Sequence, residues 1–440
     1  MKAKIFIQTY GCAFNQADSE IMAGLLEQAG FEMVNRIENA DLVIINSCTV
    51  KNKAEAKFFA FIRNTRQKFP KMKIIAAGCV AEAQKDYLKK EDKLKDYSVA
   101  GVNNIKDIAH IAEETLSGNI IHLLSGKEEK NSRINIPKIR RNEIIEIVPI
   151  NSGCLGNCAY CKAKFARGDL FSYDKDAIVD HIANAVKDKN IKEAWLTSQD
   201  TGAYGLDTGE NLPELLREII AIPGNFKIRL GMCNPNFMLE YLDKIIGILK
   251  NDLKKENRFF KFLHIPVQSG NNDILKAMNR KYNIEDYYEI IDKLKKAIPE
   301  ITIATDIICG FPGETESQFN ESIGLVKKTM PDAVNISRYW ARPGTFSAEK
   351  MKHLHLDPNI IKSRSEKLKR IFEKNSYENN KKWLGWEGEI IIDEPGKKGT
   401  DTYSGRNYCY KPVVVRGKYN IGQMLKVKIK DVSPFDLKAF

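Results

Sequence analysis

The chain has 440 residues, more than one hydrophobic core organises, and this length indicates about three domains. Lys and Arg number 69 against 57 Asp and Glu, and the resulting net charge of +12 suits a phosphate-rich partner. An odd count of nine cysteines argues against a disulfide framework. No uninterrupted apolar stretch is long enough to span a bilayer. We therefore expect a cytoplasmic protein without a membrane partner.

The first third of the chain alternates short apolar runs with stretches of helical periodicity. Lys4–Tyr10 is the first run, and it is typical of a strand rather than of a signal peptide. Similar runs rich in β-branched residues follow at 41–47 and Lys73–Gly78. Between them apolar residues such as Ile21 and Leu25 recur at helical spacing. This alternation predicts an open parallel sheet in a first domain over residues 1–120.

A cysteine follows each of these three strands: Cys12, Cys48 and Cys79 (the amino-terminal triplet). Ligands of an open parallel sheet bind outside the carboxyl ends of its strands, so we expect the three thiols at one edge. A single cysteine there would be a buried structural residue. Three at equivalent positions predict an iron–sulfur cluster with one iron left open.

A polar, basic stretch follows the first domain. Residues 121–142 contain few apolar side chains and end in a basic run that includes Arg140 and Arg141. This composition predicts a linker.

A second group of cysteines has the local spacing C-x3-C-x2-C: Cys154, Cys158 and Cys161 (the central triplet). Three thiolates fill three corners of a four-iron cluster and leave the fourth iron for the amino and carboxylate groups of S-adenosylmethionine. The spacing, with Tyr160 before the last cysteine, resembles the radical S-adenosylmethionine superfamily.

Zinc is the alternative metal for the central triplet. A structural zinc site closes four ligands, usually with a second pair downstream. The downstream cysteines Cys233, Cys309 and Cys409 are isolated, and no His lies at ligand spacing. The incomplete ligand set therefore favours the iron–sulfur interpretation.

From residue 143 to 375 the alternation of strands and helices resumes with longer units. Six parallel strands with crossover helices predict a partial (β/α) barrel, whose active site lies at the carboxyl ends of the strands. The central triplet follows the first strand of this set. The predicted strands are 144–150, 194–198, 226–230, 260–265, 302–308 and 333–337.

The last segment, residues 378–440, changes to short strands separated by Gly and Pro turns. Strands at 389–392, 410–415 and 424–430 predict a small β-barrel. The segment carries twelve Lys and Arg against eight Asp and Glu, interleaved with aromatic residues that either stack on single-stranded RNA or form the barrel core. These aromatic residues are Trp383, Trp386, Tyr403, Tyr408 and Tyr410.

With both triplets in place, nearly the whole chain resembles the methylthiotransferases. The motifs that carry this resemblance are 10–15, 46–50, 78–79, 264–270, 278–282 and 305–315. Residues 153–168, with Ser172 and Tyr173, are similar to the archaeal and eukaryotic branch, the tRNA N6-threonylcarbamoyladenosine methylthiotransferases.

The resemblance implies an auxiliary-cluster domain, a radical S-adenosylmethionine domain and a TRAM RNA-binding domain, in this order. It implies two [4Fe-4S] clusters, one on each cysteine triplet, and two molecules of S-adenosylmethionine. The implied reaction replaces the hydrogen on C2 of the modified adenine by a methylthio group, and only a cofactor radical breaks such a bond. The implied partners are the anticodon loop of tRNA, an electron donor protein and a sulfur source.

Further contacts to S-adenosylmethionine are predicted at the strand ends of the barrel. Tyr160 and the segment Gln199, Asp200 and Thr201 lie where the superfamily binds the methionine part, although the segment is also typical of a surface turn. Arg229 and Asn234 are candidates for the ribose or carboxylate, with a structural ion pair as the alternative for Arg229.

Later strand ends add four more candidates. His264 and Gln268 could line the pocket, although a lone His there is more often structural. Gly310 and Gly313 resemble the glycine segment near the adenine, and their alternative role is a tight turn that needs positive φ.

Two other functions stay open from the sequence. The same chemistry could act on an isopentenyl-modified adenosine of tRNA or on an aspartate of a ribosomal protein, although the basic tail argues against the latter. A zinc-stabilised RNA-binding protein without catalysis is the alternative from another class.

Overall fold

The computed structural model describes residues 2–49, 52–83, 93–124, 132–189, 191–255 and 257–440. These residues form a parallel sheet, a partial barrel and a curled sheet, in this order along the chain. The α/β class and architecture predicted from the sequence are confirmed.

The amino-terminal unit is one six-stranded parallel sheet with the order β2-β1-β3-β4-β5-β6. Successive residues of its central strand, such as Ile44 and Ile45, belong to separate core clusters on the two faces. Both faces are therefore covered by helices, which explains the continuous apolar runs. The elements are β1 (Lys4–Tyr10), α1 (Ala13–Gln28), β2 (Glu32–Met33), β3 (Leu42–Ser47), α2 (Asn52–Lys68), β4 (Lys73–Gly78), α3 (Cys79–Ala83), β5 (Ser98–Ala100), α4 (Ile108–Ser117) and β6 (His122–Leu123).

The register of this sheet aligns the ends of β1, β3 and β4. Tyr10 pairs with Ser47, and Ser47 pairs with Gly78. Each cysteine of the amino-terminal triplet follows one of these ends within two residues, so the sheet brings the triplet to one edge.

The central unit is an open arc of six parallel strands in the order β7-β10-β11-β12-β13-β14. Its two three-stranded sheets are joined by parallel bridges from Ile228 to Phe259 and from Met232 to His264. Among the described residues, no strand pairing joins β14 to β7, so the barrel stays open. The elements are β7 (Ile145–Pro149), β8 (Asn151–Ser152), α5 (Ala163–Arg167), β9 (Phe171–Ser172), α6 (Lys175–Lys189), β10 (Glu193–Thr197), α7 (Leu212–Ala221), β11 (Lys227–Leu230), α8 (Pro235–Lys254), β12 (Phe262–His264), α9 (Asn272–Ala277), α10 (Ile284–Ala297), β13 (Thr302–Cys309), α11 (Glu316–Thr329), β14 (Ala333–Arg338), α12 (Phe346–Glu349) and α13 (Pro358–Lys381).

All six predicted barrel strands are present, and their ends agree with the prediction to within two residues. Ala13 and Ala17 of α1 pack against Ile145 and Ile147 of β7, so the amino-terminal unit covers the edge of the open arc.

The carboxy-terminal unit is a six-stranded sheet with the order β18-β15-β16-β17-β20-β19. Its two edge strands, β18 and β19, are separated by only two residues of chain, so the sheet curls. The sequence predicted three strands here and missed β16, β19 and β20, because β16 contains a glycine and the other two are very short. The strands are β15 (Glu387–Pro395), β16 (Thr402–Arg406), β17 (Pro412–Arg416), β18 (Met424–Lys428), β19 (Asp431–Val432) and β20 (Leu437–Lys438).

The curled sheet is anchored to the barrel by Tyr410. Its ring packs against Phe260 and Phe262, with centroids 4.8 and 5.1 Å away, and against Trp195 at 6.3 Å. Tyr410 has a φ of +60°, which is why the strand predicted from residue 410 begins only at Pro412.

The basic stretch predicted as a linker packs between the units where the structure describes it. Arg133 is buried and pairs with Asp18 of α1, and Lys138 and Arg140 both pair with the buried Glu146 of β7. Residues 125–131 of this stretch lie outside the described residues.

Membrane crossing needs a long apolar helix. The described part of the chain contains no helix that meets this requirement.

Candidate active site between two cysteine triplets

The amino-terminal triplet surrounds Asn15 in the first turn of α1. The Cys12 thiol lies 3.4 Å from Asn15 Oδ1, and Asn15 Nδ2 lies 3.7 Å from Cys79 Sγ. Asn46, at the end of β3, donates to the Asn15 carbonyl at 2.8 Å and so fixes α1 on the strand end. The Cys48 amide donates to the Tyr10 carbonyl at 2.8 Å.

Helix starts and hydrogen bonds favour the thiolate form at this edge. Cys12 is the N-cap of α1, and Cys79 is the first residue of α3. A hydrogen bond from Cys48 lowers the pKa of Cys12 to about 6, against the opposing effect of burial. Burial raises the pKa of Cys79, and the positive charge of Arg167 opposes this increase.

A buried charge cluster lies beside Cys79. Asp18 of α1 accepts from Arg133 Nε at 2.5 Å and from Arg167 Nη2 at 2.6 Å. Arg167 Nε donates to Cys79 Sγ at 3.3 Å. Two guanidinium groups against one carboxylate leave a positive charge next to the triplet.

The central triplet lies on the loop between β8 and α5. Gly153, just before it, has a φ of +78°, and a Cβ there would lie 1.8 Å from the Asp169 carbonyl oxygen. Only glycine fits this position, because a side chain would meet both a backbone clash and an unfavourable φ.

Each sulfur of the central triplet accepts an N–H. The amide of Gly156 donates to Cys154 Sγ at 3.3 Å, and the amide of Ala163 donates to Cys161 Sγ at 3.4 Å. Arg280 Nη1 donates to Cys158 Sγ at 3.1 Å. Burial raises the pKa of Cys154 to about 12 and also raises that of Cys161.

Arg280 connects the central triplet to two of the predicted cofactor contacts. Besides Cys158, it donates to Asn234 Oδ1 and, through Nε, to the Tyr282 hydroxyl at 2.9 Å. Asn234 Nδ2 in turn donates to Asp200 Oδ2 at 2.5 Å. Burial raises the pKa of Asp200 to about 6, and hydrogen bonds from Asn234 oppose this increase.

The other predicted residues near the loop have different surroundings. Gln199 Oε1 accepts from the Gly153 amide at 2.8 Å and so supports the cysteine loop. Thr201 donates to the Met232 carbonyl at 2.9 Å. Tyr160 is partly buried and meets Phe311 edge-to-face, with ring centroids 6.4 Å apart.

His264 and Gln268 contact the same barrel strand. His264 Nε2 lies 3.0 Å from Asp306 Oδ1. Gln268 has a φ of +70°, and its backbone bonds to the Asp306 carbonyl and to the Ile308 amide. Their role as cofactor contacts stays a prediction.

Gly310 and Gly313 form a turn after β13, with φ of +76° and +82°. The Gly310 amide donates to Glu314 Oε2 at 2.8 Å, and a Cβ on Gly310 would lie 2.5 Å from the Ile361 side chain. The tight turn with positive φ is therefore present, and a contact to adenine stays a prediction.

Arg229 lies inside the barrel against the seam with the curled sheet. Its guanidinium lies 5.0 Å from the Trp195 ring, 5.3 Å from the Phe262 ring and 5.1 Å from the Tyr410 ring. These cation–π contacts give Arg229 a structural role, while its role as a cofactor contact stays a prediction.

Three arginines at the two triplets were not identified from the sequence. Arg167 contacts Cys79, Arg280 contacts Cys158, and Arg342 donates to the Thr49 carbonyl beside Cys48. Burial lowers the pKa of Arg342, against the opposing charge of Glu55. The Ser347 amide donates to the Ala159 carbonyl at 2.9 Å and holds the segment of Arg342 on the loop of the central triplet, so Arg342 lies between the two triplets. Arg280 lies within the motif 278–282, but nothing in the sequence indicates its partner.

The short helix α5 separates the two triplets. It begins two residues after Cys161 and ends at Arg167, which contacts Cys79. Its five residues rise about 7.5 Å, so one short helix connects the two sites. Ala166 of α5 also packs against Cys79.

Within the described ranges, no group of three or more His, Cys, Asp and Glu side chains is arranged to surround a single metal ion. In a four-iron cluster each thiolate binds a different iron, so three cluster ligands need not converge on one point.

Two family models match parts of the chain. Residues 4–100 match the uncharacterized protein family UPF0004, and residues 148–326 match the radical SAM superfamily. The threonylcarbamoyladenosine tRNA methylthiotransferase of Homo sapiens is 40% identical over 99% of this chain and 73% of its own length. The probable threonylcarbamoyladenosine tRNA methylthiotransferase of Pyrococcus horikoshii is 38% identical over 98% of this chain and 97% of its own length.

Among solved structures, the radical S-adenosylmethionine methyltransferase TsrM from Kitasatospora setae has a similar fold. Its TM-score is 0.54 at 13% identity, and the match covers 80% of this chain and 75% of that chain. This likeness concerns the fold alone.

Proposed function

Because this chain belongs to the threonylcarbamoyladenosine tRNA methylthiotransferases, we propose that it adds a methylthio group to C2 of N6-threonylcarbamoyladenosine beside the anticodon of tRNA. It is a radical S-adenosylmethionine enzyme. Relatives that carry this name are about 40% identical to this chain over nearly its whole length. This similarity supports N6-threonylcarbamoyladenosine as the substrate.

The observation that carries the proposal is the placement of two cysteine triplets on either side of α5. The transfer needs a radical that removes a hydrogen from the base, and it needs a sulfur donor within reach of the same carbon. A separation of one short helix, with Arg342 between the triplets, suits a base that meets both sites in turn.

The central triplet fits the first cluster. Its three sulfurs lie on one loop and each accepts an N–H, as cluster thiolates commonly do. A [4Fe-4S] cluster with an open iron would supply the electron that cleaves S-adenosylmethionine, and thus the radical that removes the hydrogen from C2. The loop itself is held by Gly153, which fits its tight bend, and by Gln199.

The amino-terminal triplet fits a second cluster with its own open iron. Three thiols converge at one sheet edge, and the adjoining cluster of Asp18, Arg133 and Arg167 leaves a positive charge beside them. A buried cluster with three thiolates is negatively charged, so such a charge stabilises it. We assign the sulfur or methylsulfur ligand of the transfer to this site.

The pocket for S-adenosylmethionine lies at the carboxyl ends of the barrel strands. The chain Cys158–Arg280–Asn234–Asp200 places one carboxylate and one amide next to the first cluster, where the methionine amine and carboxylate of the cofactor would bind. We propose His264, Gln268, Tyr160 and the turn of Gly310 and Gly313 as the remaining walls.

The curled carboxy-terminal sheet supports binding of RNA as a TRAM domain. Trp383 is buried, and the partly buried Tyr410 ring packs against Phe260, so neither is available for stacking on bases. A groove lined by residues 395–403, 418–420 and 423 brings Tyr403 and Tyr419 together with Lys397, Lys398 and Lys418. Basic and aromatic side chains in one groove suit a single-stranded RNA segment.

The cluster chemistry implies two further partners. An electron donor protein must reduce the first cluster, and a sulfur source must renew the second. Nine free cysteines, six of them assigned to iron, suit a reducing compartment, and we propose a cytoplasmic location on this ground.

The proposal is tested with anaerobically reconstituted protein, tRNA that carries the threonylcarbamoyl group, and mass spectrometry of nucleosides. Cys48→Ala removes a ligand of the second cluster and is expected to abolish the methylthio product while 5′-deoxyadenosine still forms. Cys158→Ala is expected to abolish both, and Cys409→Ala, a buried cysteine of the curled sheet, to retain both. A product only with isopentenyl-modified tRNA, or only on a ribosomal protein, would contradict the assigned substrate.

A further inference from the structure

Arg167 of the radical domain donates a hydrogen bond to a cysteine of the amino-terminal triplet. It is the last residue of α5 and is only 3% exposed. Its Nε donates to Cys79 Sγ at 3.3 Å, across 88 positions of sequence. The amino-terminal domain therefore does not complete the surroundings of its own cysteines.

The rest of the Arg167 side chain is fixed rigidly. Nη2 donates to Asp18 at 2.6 Å, and the guanidinium lies 4.2 Å from the centroid of the Phe14 ring. Among the described residues, none accepts a hydrogen bond from the buried Nη1. A buried guanidinium is costly without compensation, and Arg167 shares the Asp18 carboxylate with Arg133, so a negatively charged cluster on the triplet would balance the remaining charge.

We infer that Arg167 tunes the auxiliary cluster of the proposed function, raising its reduction potential through its charge and its hydrogen bond to Cys79. Hydrogen bonds to cluster sulfurs and nearby positive charge both stabilise the more negative, reduced form. Arg167 is thus a positioning residue that couples the two domains through α5. The inference rests on the proposed second cluster.

The test uses the Cys154/Cys158/Cys161→Ala background, in which only the auxiliary cluster remains. A redox titration followed by electron paramagnetic resonance would compare Arg167, Arg167→Gln and Arg167→Lys in that background. Arg167→Gln is expected to make reduction about tenfold less favourable, a shift of about 59 mV for one electron. Arg167→Lys, which keeps the charge, is expected to shift the potential less in the same direction.

Arg416→Gln is the control in the same background, because Arg416 is an exposed arginine of β17 in the curled sheet and should leave this potential unchanged. If the Arg167→Gln variant does not retain iron, the test rests on Arg167→Lys alone. A reduction potential of this variant equal to that of the protein with the native Arg167 would overturn the inference. About four irons with an unchanged potential in Arg167→Gln would also overturn it. A background variant that binds no iron would instead overturn the second cluster of the proposed function.

A second inference concerns the surface around Arg342. Arg342, on the segment 339–346, donates to the Thr49 carbonyl beside Cys48, and Lys162, next to Cys161, donates to the Pro343 carbonyl of the same segment. Two rings of this segment, Trp340 and Phe346, are 54% and 61% exposed, and Phe165 on α5 is 52% exposed. Gly344 of the segment lies against Phe165 and Lys162, and Lys162 Nζ lies 4.4 Å from the Phe165 ring centroid.

These rings lie close to the place that the target base must reach. Trp340 and Phe346 are two and four residues from Arg342, at most about 14 Å of extended chain. The Ser347 amide donates to the Ala159 carbonyl at 2.9 Å, which fixes the segment on the loop of the central triplet. Apolar rings exposed among basic side chains suit the stacking of unpaired bases.

We propose that Trp340, Phe346 and Phe165 stack the unpaired bases that flank the target adenosine in the RNA loop. This site rests on the proposed function, because it would hold the RNA substrate of that reaction. Its residues are different from those of the groove in the curled sheet. Single-stranded RNA is the occupant because the exposed rings adjoin the basic side chains of Lys162 and Arg342.

The test measures binding of an anticodon stem-loop to the reconstituted enzyme. Trp340→Ala, Phe346→Ala and Phe165→Ala are each expected to weaken binding about tenfold and to leave cleavage of S-adenosylmethionine without RNA unchanged. Tyr377→Ala, an exposed ring on α13, is the control and is expected to bind normally. Normal binding by all three variants would overturn this site, whereas no binding by the wild type would overturn the assigned RNA substrate.

Discussion

The two cysteine triplets supply the same number of thiols but are built in different ways. The central triplet lies within eight residues on one loop, and backbone amides within two residues bond two of its sulfurs. The amino-terminal triplet is assembled from three strand ends, and side chains from distant elements complete it. The central site therefore depends on the conformation of one loop, whereas the amino-terminal site depends on the packing of whole units.

Gly153→Ala gives the largest expected effect on the central site alone. The new Cβ would overlap the Asp169 carbonyl at a φ of +78°, so the cysteine loop cannot keep its conformation. We expect iron to fall from about eight to about four per chain and cleavage of S-adenosylmethionine to be lost. Iron analysis and assay of 5′-deoxyadenosine check this prediction, and an unchanged iron content would contradict it.

Gly78→Ala is the counterpart at the other site. Gly78 has a φ of +88°, and a Cβ would lie 2.1 Å from Asn46 Oδ1 at the end of β3. We expect iron to fall again to about four, but with cleavage of S-adenosylmethionine retained and the methylthio product lost. If this variant also lost cleavage, the two sites would not be separable as described.

Asp18→Ala tests the dependence of the amino-terminal site on packing between units. It leaves the buried Arg133 and Arg167 without their shared carboxylate, which costs about 3–5 kcal/mol for a buried pair. Chemical denaturation of the wild type and the variant would measure this loss in the free energy of unfolding. Glu387→Ala, which removes the exposed partner of Lys428, is the control and should change nothing measurable.

Glu193→Gln is expected to have a smaller effect, on the stability of the fold and not on either cysteine site. Glu193 lies in the seam below Tyr410, where burial raises its pKa from 4.5 to about 7, against a hydrogen bond from Trp195. The folded chain therefore holds a proton between pH 4.5 and 7 that the unfolded chain has lost, so this group lowers stability as the pH rises through that window.

The Glu193→Gln variant does not lose stability in this way as the pH rises, and its amide oxygen still accepts the hydrogen bond from Trp195. We expect the variant to be more stable than the wild type at pH 8 by roughly 1–3 kcal/mol and to differ little at pH 4.5. Unfolding curves at the two pH values measure the difference. The same difference in stability between the wild type and the variant at both pH values would contradict the raised pKa of Glu193.

The sequence contained enough information for the strand ends and for both triplets. Parallel strands produce recognisable apolar runs, and because their carboxyl ends share one edge, the convergence of Cys12, Cys48 and Cys79 followed from the strand assignments alone. The six barrel strands were predicted for the same reason.

The side chains that complete the sites could not be predicted. Arg280 and Cys158 are 122 positions apart, and Arg167 and Cys79 are 88 apart, and no local pattern specifies such pairs. The basic stretch that contains Arg133 has the composition of a solvated linker, but its partner Asp18 on α1 buries it. Burial of charge depends on where a distant countercharge lies, and that is decided by packing.

The seam at Tyr410 shows the same limit. In the sequence, Tyr410 is one aromatic residue of a basic tail and a candidate for stacking on RNA. The structure places its ring between Arg229 and Arg406, 5.1 and 4.9 Å from the two guanidinium groups. Only the docking of the curled sheet on the barrel reveals that Tyr410 is an anchor.

Iron and acid-labile sulfide content after anaerobic reconstitution test the central claim most directly, by comparing the wild type with the Cys154/Cys158/Cys161→Ala variant. Two separately built sites predict about eight irons per chain in the wild type and about four in the variant. Four irons in the wild type and none in the variant would contradict the second cluster and, with it, the account of sulfur delivery.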